Sequence, residues 1–424
     1  MTVLEKLLHP TPAANFVRDI QGRHFLHHRG AGATLASLLG EEYTHRDFFT
    51  ELAAPGYDGR AVTATFFEGR VLRGGEGKPR SFEVKPGQAE TAFRAGLSVI
   101  GDMVSPAALR LAAHLRRDLN HTGELMIAGS LSPGGDAFHA HIDPVDSFKI
   151  QVEGRKRWFV SPAPILDFPT RAAALRDNGT LFFPASEPDD WERLQGLDAS
   201  NSVEIVLEPG DILYVPPGMV HATEADGMSF SVDIGFLPAS PFSFLRKILD
   251  PVLEAEPTWR HMPASIARDG RLPREVREHL AARISELRAA LDAIDLDGPE
   301  VNRIWQRAVA NPGDKVRAAL AANRPQAGGI QPESELAVTE YAPVAHAWTP
   351  DESGEPAIDV YQAESHLSVP GAGAGFLRRV LEEGRFRASD ASSFAPVEPP
   401  LPWEDVAPYL AMLGEQGLIA EARR

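Results

Sequence analysis

The sequence predicts a mixed fold, mainly β with added α, in which an antiparallel β sandwich or barrel precedes a helical unit and a smaller C-terminal unit. Three observations support this fold class. Short β-branched or aromatic runs separated by Gly, Pro and Asp turns fill residues 60–240. Helical periodicity replaces them after Pro241. The chain has 424 residues, of which 43% are hydrophobic, enough for several cores.

The β-rich segment is preceded and interrupted by helices. Helical spacing in "PAANFVRDIQ" and "YTHRDFFTEL" predicts two helices before residue 52, the second capped by Thr44. The predicted strands are "AVTATFFEG", "ELMIAGSLS", "SFKIQVEG", "KRWFVSP", "SVEIVLEPGDILYVPP" and "MSFSVDIGF". Between them, "SPAALRLAAHLRRDL" predicts a helix with Ser105 as N-cap and Pro106 at the first helical position. Many short strands with such turns are typical of a sandwich or barrel.

Two further units follow Pro241. "LPREVREHLAARISELRAALDAID" predicts an amphipathic helix that needs a partner, and "GPEVNRIWQRAVA" predicts a second helix. The apolar stripe of the first consists of Val276, Leu280, Ile284, Leu287 and Leu291. "AANRPQAGGIQPESE" is typical of a linker, and beyond it we expect a strand at "AIDVYQ" and helices at "GFLRRVLEEG" and "PWEDVAPYLAMLGEQG". We therefore predict domains at 1–242, 243–325 (helical, a candidate dimer interface) and 326–424.

Composition restricts the chemistry. The chain has no cysteine, so disulfides, thiolate metal sites and cysteine nucleophiles are excluded. No signal-peptide pattern or long apolar run is present, so we expect a cytoplasmic protein with no membrane partner. Forty-two Lys and Arg against 59 Asp and Glu leave a net charge of −17, which disfavours nucleic acid and favours basic partners, or is only a soluble surface.

A candidate metal site lies in "FHAHIDPVDSFKIQVEGRKRW". Residues two apart share one face of a strand, so His139, His141 and Asp143 project to the same side. His221, which follows a Pro-Pro-Gly turn, can supply a third ligand if late strands return beside the middle ones. Two imidazoles and one carboxylate form the ligand set of non-haem Fe(II) oxygenases. The alternative is that His141 and Asp143 are an ordinary hydrogen-bonded pair.

These residues carry a resemblance to a known family. His141-Ile-Asp143, "QVEGRKRWFVSP" and "LEPGDILYVPPGMVHATEADGMSFSV" resemble the JmjC-type cupin 2-oxoglutarate oxygenases, and within them the ribosomal oxygenases, which hydroxylate ribosomal proteins. The resemblance implies a double-stranded β-helix (jelly roll), a helical dimerisation unit and a winged-helix-like C-terminal domain. It is strongest from residue 125 to 236.

The resemblance also implies roles for single residues. The family's iron ligands, which are its catalytic centre, fall on His141, Asp143 and His221. The basic residue that holds the distal carboxylate of 2-oxoglutarate falls on Lys156, and Ser132 matches a hydroxyl that helps to hold it. Three roles stay open for His139: it lines the substrate pocket, hydrogen-bonds to a metal ligand, or is an ordinary wall residue. Ser231 and Asp233 share one strand parity, so either of them can contact co-substrate or substrate.

The implied reaction is Fe(II)- and 2-oxoglutarate-dependent hydroxylation of an amino-acid side chain. The expected partners are a basic protein or peptide, above all a ribosomal protein, and a second copy of the chain. Three alternatives remain at this stage: a natural-product precursor peptide as substrate, a non-catalytic metal-binding cupin, and a nucleic-acid reader built on the C-terminal unit. Acidic residues interleaved with the arginines of "GFLRRVLEEGRFRASD" disfavour the last of these.

Overall fold

A computed structural model describes residues 2–39, 43–54, 62–67, 79–175, 181–182, 202–263, 270–311, 330–339, 344–350, 356–362, 365–395 and 397–422. Its helices are α1 (Val3–Leu7), α2 (Ala13–Asp19), α3 (Gly32–Leu39), α4 (His45–Leu52), α5 (Ala89–Arg94), α6 (Pro106–Asp118), α7 (Pro241–Ala255), α8 (Arg274–Asp292), α9 (Pro299–Ala310), α10 (Ala372–Glu383) and α11 (Trp403–Glu415). In the part of the chain that the structure describes, no helix combines the length and hydropathy needed to cross a membrane.

The strands fall into an early β-rich set and a late set. The first set is β1 (Leu26–His28), β2 (Val62–Phe67), β3 (Pro79–Val84), β4 (Ser98–Asp102), β5 (Glu124–Ser132), β6 (Gly135–Ile142), β7 (Asp146–Glu153), β8 (Lys156–Val160), β9 (Ala173–Leu175), β10 (Leu181–Phe182), β11 (Val203–Leu207), β12 (Ile212–Val215), β13 (His221–Ala225) and β14 (Ser229–Leu237). The second set is β15 (Glu335–Val338), β16 (Val344–Pro350), β17 (Pro356–Gln362), β18 (Ser365–Pro370), β19 (Arg385–Arg387) and β20 (Ile419–Glu421).

The early strands form two antiparallel sheets, which confirms the predicted jelly-roll class. The large sheet has the order β1-β12-β7-β14-β5-β4-β2-β3, and the smaller sheet has the order β10-β9-β6-β13-β8-β11. Strands distant in sequence are therefore neighbours: β13 lies between β6 and β8. This return of a late strand beside the middle strands is what the site requires.

The two faces of the large sheet differ in chemistry because side chains alternate along a strand. Phe148, Ile150, Val232 and Ile234 belong to the main core, which also contains apolar residues of α1 to α6. The intervening residues of β7 and β14 face the smaller sheet, and they are polar: Ser147, Lys149, Gln151, Ser231 and Asp233. A second apolar cluster, which includes Trp158 and Leu213, fills part of the space between the sheets. The polar residues occupy the rest of it.

The helix caps follow the predictions. Thr44 caps α4 and its hydroxyl accepts a hydrogen bond from Arg46 N–H, while Asp47 completes a capping box. Ser105 caps α6, whose first helical residue is Pro106. On α6, the buried Arg116 guanidinium donates to Val309 O (2.6 Å), Asn311 O (3.2 Å) and Ala308 O (3.4 Å) at the end of α9, and to Gly123 O (3.0 Å). One arginine thus joins the helical unit to the jelly roll.

Beyond the helices, the chain forms two three-stranded sheets, β19-β15-β20 and β16-β17-β18, which share a core with α10 and α11. The predicted strand "AIDVYQ" is β17, and five further strands were not predicted. Three of them, β15, β19 and β20, have only three or four residues and are recognisable only through their pairing partners. Residues 321–329 of the predicted linker lie outside the described residues.

Candidate metal centre

Three predicted side chains meet at one end of the smaller sheet. His141 lies near the end of β6, Asp143 directly follows this strand, and His221 begins β13. Because β6 and β13 are neighbours with His141 opposite His221, the 80-residue separation in sequence becomes one interstrand step. One nitrogen of each histidine and one oxygen of Asp143 all lie within 4.8 Å of one another.

The distances fit ligands of one ion better than a hydrogen-bonded pair. Asp143 Oδ2 lies 3.8 Å from His141 Nε2 and 3.5 Å from His221 Nε2, both beyond the normal range of a hydrogen bond. The two imidazole rings have centroids 4.2 Å apart and planes inclined by 53°. Two imidazole nitrogens and one carboxylate, aimed at a common point with an open side, form a suitable donor set for a divalent metal.

The Pro-Pro-Gly turn holds the two halves of this centre together. Gly218 has φ +75°, and its N–H donates to Asp143 O at 2.9 Å. A Cβ at this position would lie 1.8 Å from Leu166 O, so only glycine fits. The turn therefore fixes the backbone of Asp143 and delivers His221 three residues later.

The orientation of His221 is set by two contacts. Its Nδ1 lies 3.0 Å from Met219 O and donates to it in the neutral imidazole, which leaves the Nε2 lone pair directed at the centre. The Trp158 ring stacks on the imidazole, with centroids 5.8 Å apart and planes inclined by 26°. A carbonyl that fixes the tautomer of a ligating histidine is the usual support in metal sites.

Asp143 is held in its ionised form. Burial alone raises the pKa of its carboxyl group, but the interactions with His221, His141 and Lys149 outweigh burial and hold the pKa well below its usual range. An ionised carboxylate is the form that binds a metal.

Lys156 is the predicted cation of the pocket. It begins β8, is 1% exposed, and its Nζ lies 3.4 Å from the Ser130 hydroxyl of the opposite sheet. Burial lowers the pKa of Lys156 to about 8, and the Asp233 carboxylate opposes this shift. Its neighbours Arg155 and Arg157 instead form ion pairs with Glu208 and Glu224.

The hydroxyl nearest to Lys156 was not singled out by the sequence. Ser132 is buried, but its Oγ lies 3.4 Å from Ser98 Oγ. The hydroxyl that contacts Lys156 is Ser130, two residues earlier on the same face of β5. The sequence signal for Ser130 was the alternation of side chains along the strand, which places it on the same face as Ser132.

Among the buried polar atoms between the sheets that have no hydrogen-bond partner within the described residues, two belong to paired residues. They are Trp158 Nε1 and Thr223 Oγ1, on directly opposed residues of β8 and β13. Buried polar atoms of this kind are satisfied in most proteins, often by a ligand or water. With Lys156, they fit a pocket for a polar, anionic molecule.

The remaining predicted residues fall in the same region where they are described. Ser231 Oγ lies 3.2 Å from Asp233 Oδ1, and Asp233 Oδ2 lies 3.5 Å from Lys149 Nζ. The side chain of His139 lies outside the described part of the chain.

The geometry agrees with comparisons of the sequence. Residues 105–241 match the family model of the JmjC domain. The chain is 29% identical over 126 residues to the bifunctional lysine-specific demethylase and histidyl-hydroxylase NO66 of Drosophila persimilis, covering 29% of this chain and 16% of the fly protein. It is 29% identical over 157 residues to ribosomal oxygenase 1 of Homo sapiens, covering 36% of this chain and 21% of the human protein. The matched segment thus spans a small part of these relatives.

Three further matches extend over more of the chain. The uncharacterized protein YxbC of Bacillus subtilis is 24% identical over 243 residues, which are 55% of this chain and 71% of that protein. The solved structure of Escherichia coli ycfD covers 97% of this chain and 98% of its own, with a TM-score of 0.52 and 16% identity. A second structure of YcfD, a ribosomal oxygenase in complex with cobalt and 2-oxoglutarate, has a TM-score of 0.51 at 16% identity, with 97% and 98% of the two chains covered. At these identities, the structural likeness shows the fold.

Proposed function

We propose that the protein is an Fe(II)- and 2-oxoglutarate-dependent dioxygenase that hydroxylates an amino-acid side chain, because residues 105–241 match the family model of the JmjC domain. The leading substrate is a ribosomal protein. The observation that carries the proposal is the convergence of His141, Asp143 and His221 within 4.8 Å, in the same space between the sheets as a buried lysine.

In this proposal, His141 Nε2, His221 Nε2 and one Asp143 oxygen hold the metal. When bound by these three residues, Fe(II) would supply the oxidation of an unactivated C–H bond with O₂, and 2-oxoglutarate would be converted to succinate and CO₂. Other residues of the chain orient the metal ligands and shield them. Met219 O fixes the His221 tautomer, Gly218 fixes the Asp143 backbone, and Trp158 covers one face of the His221 ring.

Lys156 is the proposed anchor for the distal carboxylate of 2-oxoglutarate. The Lys156 ammonium group is buried beside the Ser130 hydroxyl, where a carboxylate of a bound dicarboxylate would form a charge-assisted hydrogen bond with it. Trp158 Nε1 and Thr223 Oγ1 are further polar atoms that a dicarboxylate can satisfy. A merely metal-binding cupin has no need of these groups together.

A basic protein segment is the proposed substrate. Ribosomal proteins are rich in Lys and Arg because they bind RNA. A net charge of −17 steers such segments toward the enzyme, mainly by raising the association rate. Action on ribosomal proteins also agrees with the predicted cytoplasmic location.

The test is intact-mass analysis of ribosomal proteins incubated with the enzyme, Fe(II), 2-oxoglutarate and O₂. The Asp143→Ala variant, which loses the anionic metal ligand, is the control. The expected result is a gain of one oxygen on one protein, absent with the variant. Succinate formed above the control without such a gain would redirect the search to other peptides, such as natural-product precursors. If neither an oxygen gain nor succinate is detected, the oxygenase proposal is contradicted and the non-catalytic cupin is favoured.

We also propose that the helical unit, 243–325 in the predicted domain division, mediates homodimerisation. Along the predicted stripe of α8, Val276 is buried, but Ile284 is 51% and Leu291 41% exposed. Phe242 at the start of α7 and Trp305 on α9 are 72% and 44% exposed. Large exposed apolar side chains on α7, α8 and α9, of which α7 contacts both other helices, favour a protein interface.

Sedimentation velocity tests the dimer. The expected result is a dimer for the unmodified protein and a monomer for Ile284→Glu, because a charge at the centre of the face cannot be buried unpaired. Glu286→Gln, on the same helix but off the predicted stripe, is the matched control and is expected to stay dimeric. A monomeric unmodified protein would contradict the proposal.

A further inference from the structure

A second lysine, Lys149, lies in the same space between the sheets. It is 8% exposed, and it projects from β7 toward the smaller sheet. Its Nζ lies 5.7 Å from the centroid of the Trp158 ring, the same distance that separates Lys156 Nζ from this ring. Two ammonium groups therefore flank one indole between the metal centre and the large sheet.

Lys149 has a specific anionic partner. Asp233, its direct neighbour on β14, places Oδ2 3.5 Å from Lys149 Nζ. A buried ion pair of this kind adds little stability compared with two apolar residues of the same size. Its presence in a ligand pocket therefore points to a role other than stability.

The same carboxylate is also within reach of Lys156. Lys156 Nζ contacts the Ser130 hydroxyl, Ser130 lies opposite Ser231, and Ser231 Oγ donates to Asp233 Oδ1 at 3.2 Å. Consistent with this path, the Asp233 carboxylate acts on Lys156 and raises its pKa against the larger effect of burial. Asp233 therefore pairs directly with Lys149 and also acts on the charge of Lys156.

The charges of the pocket balance only when both lysines are counted. With neutral histidines, Lys149 and Lys156 offset Asp143 and Asp233. A divalent metal then adds two positive charges, and a dicarboxylate removes them. If Lys149 were neutral, the Asp233 carboxylate would pair with Lys156, and the dicarboxylate would have to displace Asp233 from this lysine.

We propose that Lys149 is a positioning residue that holds the Asp233 carboxylate and so reserves the charge of Lys156 for the anionic co-substrate. This inference rests on the proposed function, because it assigns 2-oxoglutarate to Lys156. It adds to that function a pair, Lys149–Asp233, that acts on co-substrate affinity without touching the co-substrate.

The test is a calorimetric titration of 2-oxoglutarate into the full-length protein at full Mn(II) occupancy, which reports binding without turnover. Lys149→Met is expected to weaken binding about tenfold or more, because Asp233 then pairs with Lys156. Adding Asp233→Asn to this variant removes the competitor, and the double variant is expected to return to within about threefold of the unmodified protein. Lys156→Met is the matched control: its loss of binding is not rescued by Asp233→Asn.

Rescue separates a positioning role from a structural one. If Lys149→Met binds normally, or if the double variant is as weak as Lys149→Met alone, the inference is overturned. Asp233→Asn alone provides an independent arm should Lys149→Met fail to fold: it is expected to bind 2-oxoglutarate more tightly, and weaker binding would overturn the inference. If the unmodified protein binds no 2-oxoglutarate, the proposed function fails, and the inference fails with it.

Discussion

Replacing Lys156 by Met is expected to stabilise the protein while removing its affinity for 2-oxoglutarate. Burial lowers the pKa of Lys156 from 10.5 to about 8. At roughly 1.4 kcal/mol for each pKa unit, burying the ammonium group costs about 3 kcal/mol at neutral pH. The Met variant avoids this cost, but the lost contact with Ser130 offsets about 1 kcal/mol of the resulting gain in stability. The free energy of unfolding should therefore rise by about 2 kcal/mol.

The stability that the protein gains from Lys156→Met depends on pH. Because the folded-state pKa of Lys156 is depressed, its ammonium form is penalised in the folded protein, and this penalty is fully present below about pH 8. The penalty fades as the pH rises from 8 toward 10.5, so the unmodified protein gains stability from this group over that range. The Met variant lacks that gain.

The effect on binding has the opposite direction. An ammonium group and a carboxylate about 4 Å apart, at an effective dielectric constant of about 20, attract by about 4 kcal/mol. Loss of that attraction corresponds to a decrease in affinity on the order of 10²- to 10³-fold. Urea unfolding at neutral pH and calorimetric titration of 2-oxoglutarate measure the two effects separately. A variant that is less stable than the unmodified protein, or that loses less than about tenfold in affinity, would refute this account of Lys156.

Three further predictions concern pH, the turn and the joint between units. Above about pH 8, 2-oxoglutarate affinity should fall roughly tenfold for each pH unit as Lys156 loses its proton, and it should be flat below; Lys156→Arg should remove this dependence in the same titration. Gly218→Ala should strongly lower both the Mn(II) affinity and the melting temperature. The control Gly227→Ala, also at positive φ but with nothing within 4 Å of its Cβ, should lower the free energy of unfolding by only about 1–2 kcal/mol. Equal losses in the two variants would contradict the role of the turn. Arg116→Met should lower the free energy of unfolding, measured by urea unfolding, by about 3 kcal/mol or more, because four carbonyl groups lose their donor. The control Arg117→Met replaces a side chain that is 69% exposed and should change this free energy by less than about 0.5 kcal/mol.

The metal centre could be predicted from sequence because its pattern is local. The parity of a strand places His141 and Asp143 together, and the Pro-Pro-Gly turn marks the approach of His221. The run of short strands and turns predicts a sandwich or barrel, and the family resemblance implies the jelly roll among these. These signals survive without knowledge of tertiary contacts.

The rest of the pocket depends on pairing between distant strands. Lys149 sits in "SFKIQVEG" as an ordinary strand lysine, and only the register of β7 with β14 places it opposite Asp233. Ser130 becomes notable only when the smaller sheet brings Lys156 against it. The C-terminal strands escaped prediction for the same reason, since β19 and β20 have three residues each and exist through their pairing with β15.

The most direct test of the central claim is an anomalous-diffraction map of crystals grown with Mn(II) and 2-oxoglutarate. The account predicts one strong peak within coordination distance of His141, Asp143 and His221, and a dicarboxylate that extends from it to Lys156 and Ser130. A peak at other residues, or a dicarboxylate that leaves Lys156 without contact, would contradict it.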